Sequence, residues 1–211
     1  MGLGIGLIGF GTVGSGVVKL LLQNKDLIEK RLGKPLLLRK IADLDLERDR
    51  GVKVPREILT REALEVIEDP RVQVVIELIG GIEPAKTYIL KALELGKPVV
   101  TANKALLALH GKEIFEKARE KNLSIGFEAS VGGGIPIIKA VKEGLVGNRV
   151  KAIFGILNGT SNFILTKMSD EALSYEEALK RAQKLGYAEA DPSLDVEGLD
   201  AAHKLVLLAS L

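Results

Sequence analysis

Gly9-Phe10-Gly11-Thr12-Val13-Gly14 constrains this chain more than any other stretch, because of what stands on either side of it. The apolar run Leu3–Ile8 before it reads as a short buried strand. After it, Val17, Leu20, Leu21 and Ile28 fall at helical spacing and predict a helix over Val13–Lys30. G-x-G-x-x-G is a weak pattern alone in a glycine-rich chain. Between a buried strand and a helix start it specifies a phosphate-binding turn. Gly9 permits the tight turn, Gly11 lets a pyrophosphate approach the backbone, and Gly14 allows close helix–strand packing. Phe10, Thr12 and Val13 fill the remaining cofactor-binding positions, with the phosphates on the free N–H groups of the helix start. The acidic residue for the adenosine ribose is expected after the second strand, where Asp43 stands. It lies further on than the usual ~20 residues, and the long first helix and the loop around Gly33 account for the excess. A carboxylate there favours NAD, while Arg39, Lys40, Arg48 or Arg50 offers a partner for the 2′-phosphate of NADP. The pattern leaves both cofactors open.

The alternation continues. Leu36–Asp43, Gln73–Ile79, Pro98–Ala102 and Leu123–Glu128 read as strands; Glu62–Glu68, Pro84–Leu95 and Lys104–Lys121 read as helices. Strands alternating with helices across short turns imply a parallel sheet covered on both faces. Residues 1–130 are therefore expected to form an α/β, doubly wound domain of the Rossmann type. Over 131–211 the composition changes. A helix over Pro136–Val146 and a strand over Val150–Leu157 precede an all-helical remainder. Thr160 or Ser161 is placed to cap a helix over Asn162–Met168. Ser174 with Glu177 forms a capping box, and a last helix covers Glu197–Leu211. The strand has no partner after it in sequence. It must join the first sheet, pair in another subunit, or await residues absent from this chain, and the last is the expectation: an α+β domain that is incomplete.

Composition narrows the chemistry. There is no Cys, which excludes disulfides, Cys-ligated metals and a thiol nucleophile, and only His110 and His203 are present, too few for a three-His site. A net charge of +2 without a basic block argues against nucleic acid and anionic membranes. Residues 1–18 are uncharged but lack a basic n-region and are dense in glycine, so they suit a strand and turn rather than a membrane span. A cytoplasmic globular protein is expected.

Three further segments carry candidate chemistry. Lys104, where a strand ends and a helix begins, either faces the crevice at the strands' carboxyl ends or is simply solvated. The loop Glu128–Pro136, with Gly132, Gly133 and Gly134, can hold a hard cation on its carbonyls or serve as a hinge. Between Gly186 and Lys204 stand Glu189, Asp191, Asp195, Asp200 and Lys204. Asp200 and Lys204 share one face of a helix that is apolar nearly all round and hence read as buried. A charge pair in such a place is seldom kept for stability alone.

Gly-Phe-Gly-Thr-Val-Gly at 9–14, Thr-Ala-Asn-Lys at 101–104 and Glu-Ala-Ser-Val-Gly-Gly-Gly-Ile-Pro at 128–136 occur in that order, followed by Asn-Gly-Thr-Ser-Asn at 158–162 and Gly-Tyr-Ala-Glu-Ala-Asp-Pro at 186–192. In this the chain resembles the homoserine dehydrogenases along essentially its whole length. The resemblance implies NAD- or NADP-dependent interconversion of L-aspartate 4-semialdehyde and L-homoserine, toward threonine, methionine and isoleucine. It further implies a homodimer built through the second domain, were the chain complete. By position it makes Lys104 and Lys204 the proton-relay groups, with Lys104 also beside the cofactor. Glu189, Asp195 and Asp200 become the groups around the amino-acid substrate, and the carbonyls of Glu128, Val131, Gly133 and Ile135 a site for a monovalent cation such as Na+. Family members run well beyond Lys204, in keeping with the orphan strand. Another amino-acid dehydrogenase of the same layout would not need Glu189, Asp195, Asp200 and Lys204 together. The rival from a different class is a non-catalytic NAD(P)-binding fragment.

Overall fold

A computed structural model describes residues 2–211. The chain divides into two compact units, Met1–Ser130 and Val131–Leu211. In the first, β1 (Leu3–Ile8), α1 (Thr12–Gln23), α2 (Lys25–Leu32), β2 (Leu36–Ala42), β3 (Leu59–Thr60), α3 (Ala63–Glu68), β4 (Val74–Glu77), α4 (Ala85–Glu94), β5 (Val99–Thr101), α5 (Lys104–Glu120) and β6 (Ile125–Gly126) follow in order. All strand pairs are parallel, in the sheet order β3-β2-β1-β4-β5-β6. Winding reverses between β1 and β4, which puts the ligand crevice of this topology outside their carboxyl ends. Register aligns those ends: Ile8 stands beside Ala42 and Glu77, and Glu77 beside Thr101. Asp43, Gly9, Leu78 and Ala102 therefore leave the sheet along one edge.

The central strand β1 is buried on both faces, as parallel crossovers require, while β2 is largely half-buried and Val100 of β5 is exposed. Leu7, Ile41, Val18 and Phe10 form one core cluster, and Ile67, Ile89, Leu93, Leu106 and Ile114 are likewise inaccessible to solvent. Each such side chain contributes roughly 1.5–3 kcal/mol relative to exposure. The single helix expected over Val13–Lys30 is broken at Asn24, whose φ of −105° and ψ of 20° end α1 and begin α2. Asparagine competes with helix by bonding locally, and α2 has no buried residue to hold it in line with α1. The two-residue β3 is too short to show a period in the sequence.

In the second unit a short turn of helix, α6 (Ile137–Lys139), runs into a π turn over Ala140–Gly144. Then follow α7 (Gly159–Glu171), α8 (Tyr175–Lys184), α9 (Ser193–Val196) and α10 (Leu199–Ala209). Ile164, Ala178, Ala182 and Ala188 make the core between α7 and α8, and Phe163 stacks on Tyr187 at 4.6 Å. The capping box of Ser174 and Glu177 opens α8 as expected. Two expectations are corrected. Val150–Leu157 forms no strand, because the described residues offer its backbone no ladder; it has no regular secondary structure, with Phe154 94% and Ile156 76% exposed. The last helix is not buried all round: Leu199, Leu205 and Val206 are about half-exposed, and only Asp200, Leu207 and Leu208 are buried. Among the described residues no helix is long and apolar enough to cross a membrane.

Candidate functional site

The glycine turn opens the first part of the site. Gly9 has φ +97°, and a Cβ there would press on the Leu78 backbone at 2.7 Å, so the β1 exit lies directly against the β4 exit. A Cβ at Gly14 would stand 2.0 Å from the Gly9 carbonyl oxygen, while one at Gly11 would meet nothing. Gly11 thus faces open space at the start of α1, whose first turn carries no acidic residue and no side-chain cap. Thr12 and Val13 are exposed at that end. Uncapped N–H groups and the positive end of the helix dipole fit an anionic group such as a pyrophosphate. Phe10 behaves differently: its ring is buried in the core, and its N–H donates to Asp43 Oδ2 at 2.6 Å.

A cleft of about 490 Å³ lies beside this turn, walled by Leu44, Leu78, Ile79, Pro84 and Tyr88, with Gly11, Asp43 and Arg61 as its polar rim. Apolar walls with few placed polar groups suit a nucleoside. Asp43 stands on the rim, where the ribose acid was expected.

Glu77, a residue the periodicity did not single out, ties this cleft to Lys104. It is fully buried at the end of β4. Its Oε1 accepts from Ile79 N at 2.8 Å and Gly80 N at 3.3 Å, and Oε2 from the Thr101 hydroxyl at 2.7 Å. Thr101 Oγ1 in turn accepts from Asn103 N at 3.0 Å. Asn103 caps α5 by accepting from Leu106 N and donates Nδ2 to the Gly81 carbonyl at 2.6 Å. The loops after β4 and β5 are thereby one hydrogen-bonded body, with Lys104 as the first residue of α5. The available signal was an acidic residue closing an otherwise apolar strand.

In the second unit Asp195, Asp200 and Lys204 gather around Asn158. Its Nδ2 donates to Asp195 Oδ1 at 2.7 Å and to Asp200 Oδ2 at 2.8 Å, while its Oδ1 caps α7 by accepting from Ser161 N. The cap is therefore Asn158 rather than Thr160 or Ser161. Their hydroxyls instead reach the carbonyls of Tyr187 and Asp195. Lys204 Nζ donates to Asp200 Oδ2 at 2.5 Å and to the Leu157 carbonyl at 2.6 Å. Two carboxylates and one ammonium leave the cluster one negative charge, which suits a ligand ammonium. Glu189 is exposed, and its side chain is not joined to these four groups. Nearby, the Ser193 hydroxyl and N–H hold the Asp191 carboxyl below the usual range.

In the loop before α6, Gly132 and Gly134 occupy the left-handed region, and Ile135 N donates to the Gly132 carbonyl at 2.8 Å. No group of three or more metal-ligating side chains occurs among the described residues.

Comparison with known proteins covers both units. Residues 9–128 match the family model for the NAD binding domain of homoserine dehydrogenase, and 136–211 match the homoserine dehydrogenase model. Homoserine dehydrogenase of Bacillus subtilis is 53% identical over 207 residues, which are 98% of this chain and 48% of that protein. The crystal structure of a homoserine dehydrogenase from Thiobacillus denitrificans superposes with a TM-score of 0.94 at 46% identity, over 100% of this chain and 48% of that one. A hyperthermophilic archaeal homoserine dehydrogenase in complex with NADPH gives a TM-score of 0.84 at 30% identity, over 99% of this chain and 69% of that one. The chain spans about half the length of the curated relatives it matches.

Proposed function

The chain belongs to the homoserine dehydrogenase family, and from that premise we propose that it serves the NAD(P)-dependent interconversion of L-homoserine and L-aspartate 4-semialdehyde. The observation that carries this reading is the Asn158–Asp195–Asp200–Lys204 cluster in the same chain as a dinucleotide turn. The free helix start and the space at Gly11 fit the pyrophosphate, and Asp43 and the apolar cleft walls fit the adenosine half. When bound, the nicotinamide supplies hydride chemistry. The chain's own residues supply the rest. Asp195 and Asp200 hold the substrate ammonium, with Glu189 as a third acidic group from the same segment. Lys204 and Lys104 are the ammonium groups that stabilise an alkoxide developing on the substrate and exchange its proton. Asp200 holds the Lys204 ammonium in place.

A monovalent cation on the carbonyls of Glu128, Val131, Gly133 and Ile135, a homodimer formed through Val131–Leu211, cytoplasmic placement and a role in threonine, methionine and isoleucine synthesis belong to the same reading. The exposed Phe154 and Ile156 support the dimer. The test is homoserine-dependent reduction of NAD or NADP, followed spectrophotometrically. Lys204→Ala is expected to lower turnover by at least about 100-fold with cofactor affinity nearly unchanged. A large loss of cofactor affinity would remove Lys204 from proton transfer. Cofactor binding without turnover in the unaltered chain would favour a non-catalytic nucleotide-binding role.

A further inference from the structure

Of the cations that the sequence offers for a 2′-phosphate, Arg50 stands nearest the glycine turn, and the structure gives it another occupation. Its side chain is only 6% exposed. Nε donates to the Phe10 carbonyl, Nη1 to the Arg48 carbonyl at 2.8 Å, and Nη2 to the Asp45 carbonyl and to Asp43 Oδ1 at 3.1 Å. The guanidinium also lies 4.8 Å from the centre of the Phe10 ring. Four of its five N–H groups are thus used inside the protein. The carboxylate it holds is pinned as firmly: Asp43 Oδ2 takes the Phe10 N–H, and Oδ1 takes the Asp45 N–H at 2.9 Å together with Arg50. Three of roughly four acceptor positions are filled, leaving one on Oδ2 at the rim of the cleft.

The other candidates are placed no better. Lys40 pairs with Glu65 at 2.6 Å. Arg39 is the extra residue at the register shift between β1 and β2 and lines a separate groove with Leu21 and Ile58. Arg48 is exposed, and Leu44, the residue after Asp43, is apolar and 85% exposed. Among the described residues only Arg61 brings a cation to the cleft wall, and its Nε donates to the Leu44 carbonyl at 3.3 Å.

We infer that Asp43, fixed in place by Arg50, selects NAD(H) over NADP(H), and that Arg50 is a positioning residue for this choice rather than a ligand of the 2′-phosphate. The inference rests on the cofactor reading above and sharpens it. A ribose with both hydroxyls free donates to the open position on Oδ2. A 2′-phosphate, carrying roughly two negative charges, meets a carboxylate held by Phe10, Asp45 and Arg50, and the cation on that wall, Arg61, is tied through Nε to the Leu44 carbonyl. Because Arg50 also clamps the Phe10 carbonyl, the same contact sets the entry to the pyrophosphate turn.

The experiment is titration of the unaltered chain, Asp43→Asn and Arg50→Met with NADH and with NADPH, read by calorimetry or nicotinamide fluorescence. The unaltered chain is expected to bind NADH at least about tenfold more tightly than NADPH. Asp43→Asn should narrow that ratio to within about threefold by improving NADPH. Arg50→Met keeps an apolar stem over Phe10 but frees Asp43, and should weaken NADH about tenfold and NADPH less. Equal or tighter binding of NADPH by the unaltered chain overturns the inference, and this arm stands even where a variant does not fold. Selective loss of NADPH affinity in Arg50→Met also overturns it, by placing the guanidinium on the 2′-phosphate. So does the same selective loss in Arg61→Ala. Binding of neither nucleotide by a folded unaltered chain would refute the cofactor reading itself.

Discussion

At the scale of single residues, neighbouring glycines fail in different ways when a methyl group is added. At Gly14 the new Cβ collides with the Gly9 carbonyl, so the turn and α1 must part. Gly14→Ala is expected to destabilise the first unit by about 1–3 kcal/mol, seen as a lower midpoint in denaturant. Gly11→Ala should leave that midpoint unchanged while weakening dinucleotide binding at least about tenfold, since the methyl enters space that only a ligand would occupy. Equal destabilisation by both would show that the space at Gly11 is not a ligand site. These roles were legible in the sequence because each follows from backbone chemistry at a fixed spacing. Asn158 was not. Its two N–H groups join Asp195 and Asp200, which are distant in sequence, and no local pattern announces a residue that acts through its amide at long range.

At the scale of elements, the connection from α3 to β4 is held by one charged fork. Arg71 donates Nη2 to Asp69 Oδ2 at 2.7 Å and its own N–H to Oδ1 at 2.8 Å, and the Asp69 carbonyl receives buried Lys97 at 2.7 Å. The guanidinium beside it lowers the Asp69 carboxyl from 3.8 to about 2, while burial pushes the Lys97 ammonium down. A depressed carboxylate contributes stability that is complete above its ordinary range and lost as pH falls through the folded value. Asp69→Asn should therefore cost on the order of 1 kcal/mol at neutral pH, Arg71 being largely exposed. The difference from the unaltered chain should close between about pH 4 and pH 2 in denaturant titrations. A gap that persisted at pH 2 would assign Asp69 a packing role instead. Most elements could be read from period and punctuation, as with Gly96 after α4 and the Ser174–Glu177 box. The strand expected over Val150–Leu157 fails for a physical reason: the segment alternates like a strand, but alternation describes a face, and a strand needs a neighbour.

At the scale of the whole molecule, both units build a core and both leave large apolar side chains in solvent, Leu44 of the first among them. The first closes its core around six parallel strands. The second leaves Val146, Phe154 and Ile156 largely in solvent. Large exposed apolar groups in one segment mark a contact surface or an aggregation hazard. Phe154→Ser with Ile156→Ser is expected to lower binding of an environment-sensitive hydrophobic dye severalfold and to shift the melting temperature by less than about 2 °C. A large fall in melting temperature would mean that these side chains are packed.

The sheet order also sets a schedule. β1 is synthesised before both of its neighbours, yet it lies between β2 and β4, and its Gly4 is bonded to Gln73, 69 residues later. At a synthesis rate of about 5–20 residues per second, β1 waits roughly 3–14 s for that partner to be made. Until then its apolar side chains and one row of backbone groups have no native cover. The strand that becomes the centre of the sheet is thus the one that depends longest on its surroundings to keep it from pairing elsewhere.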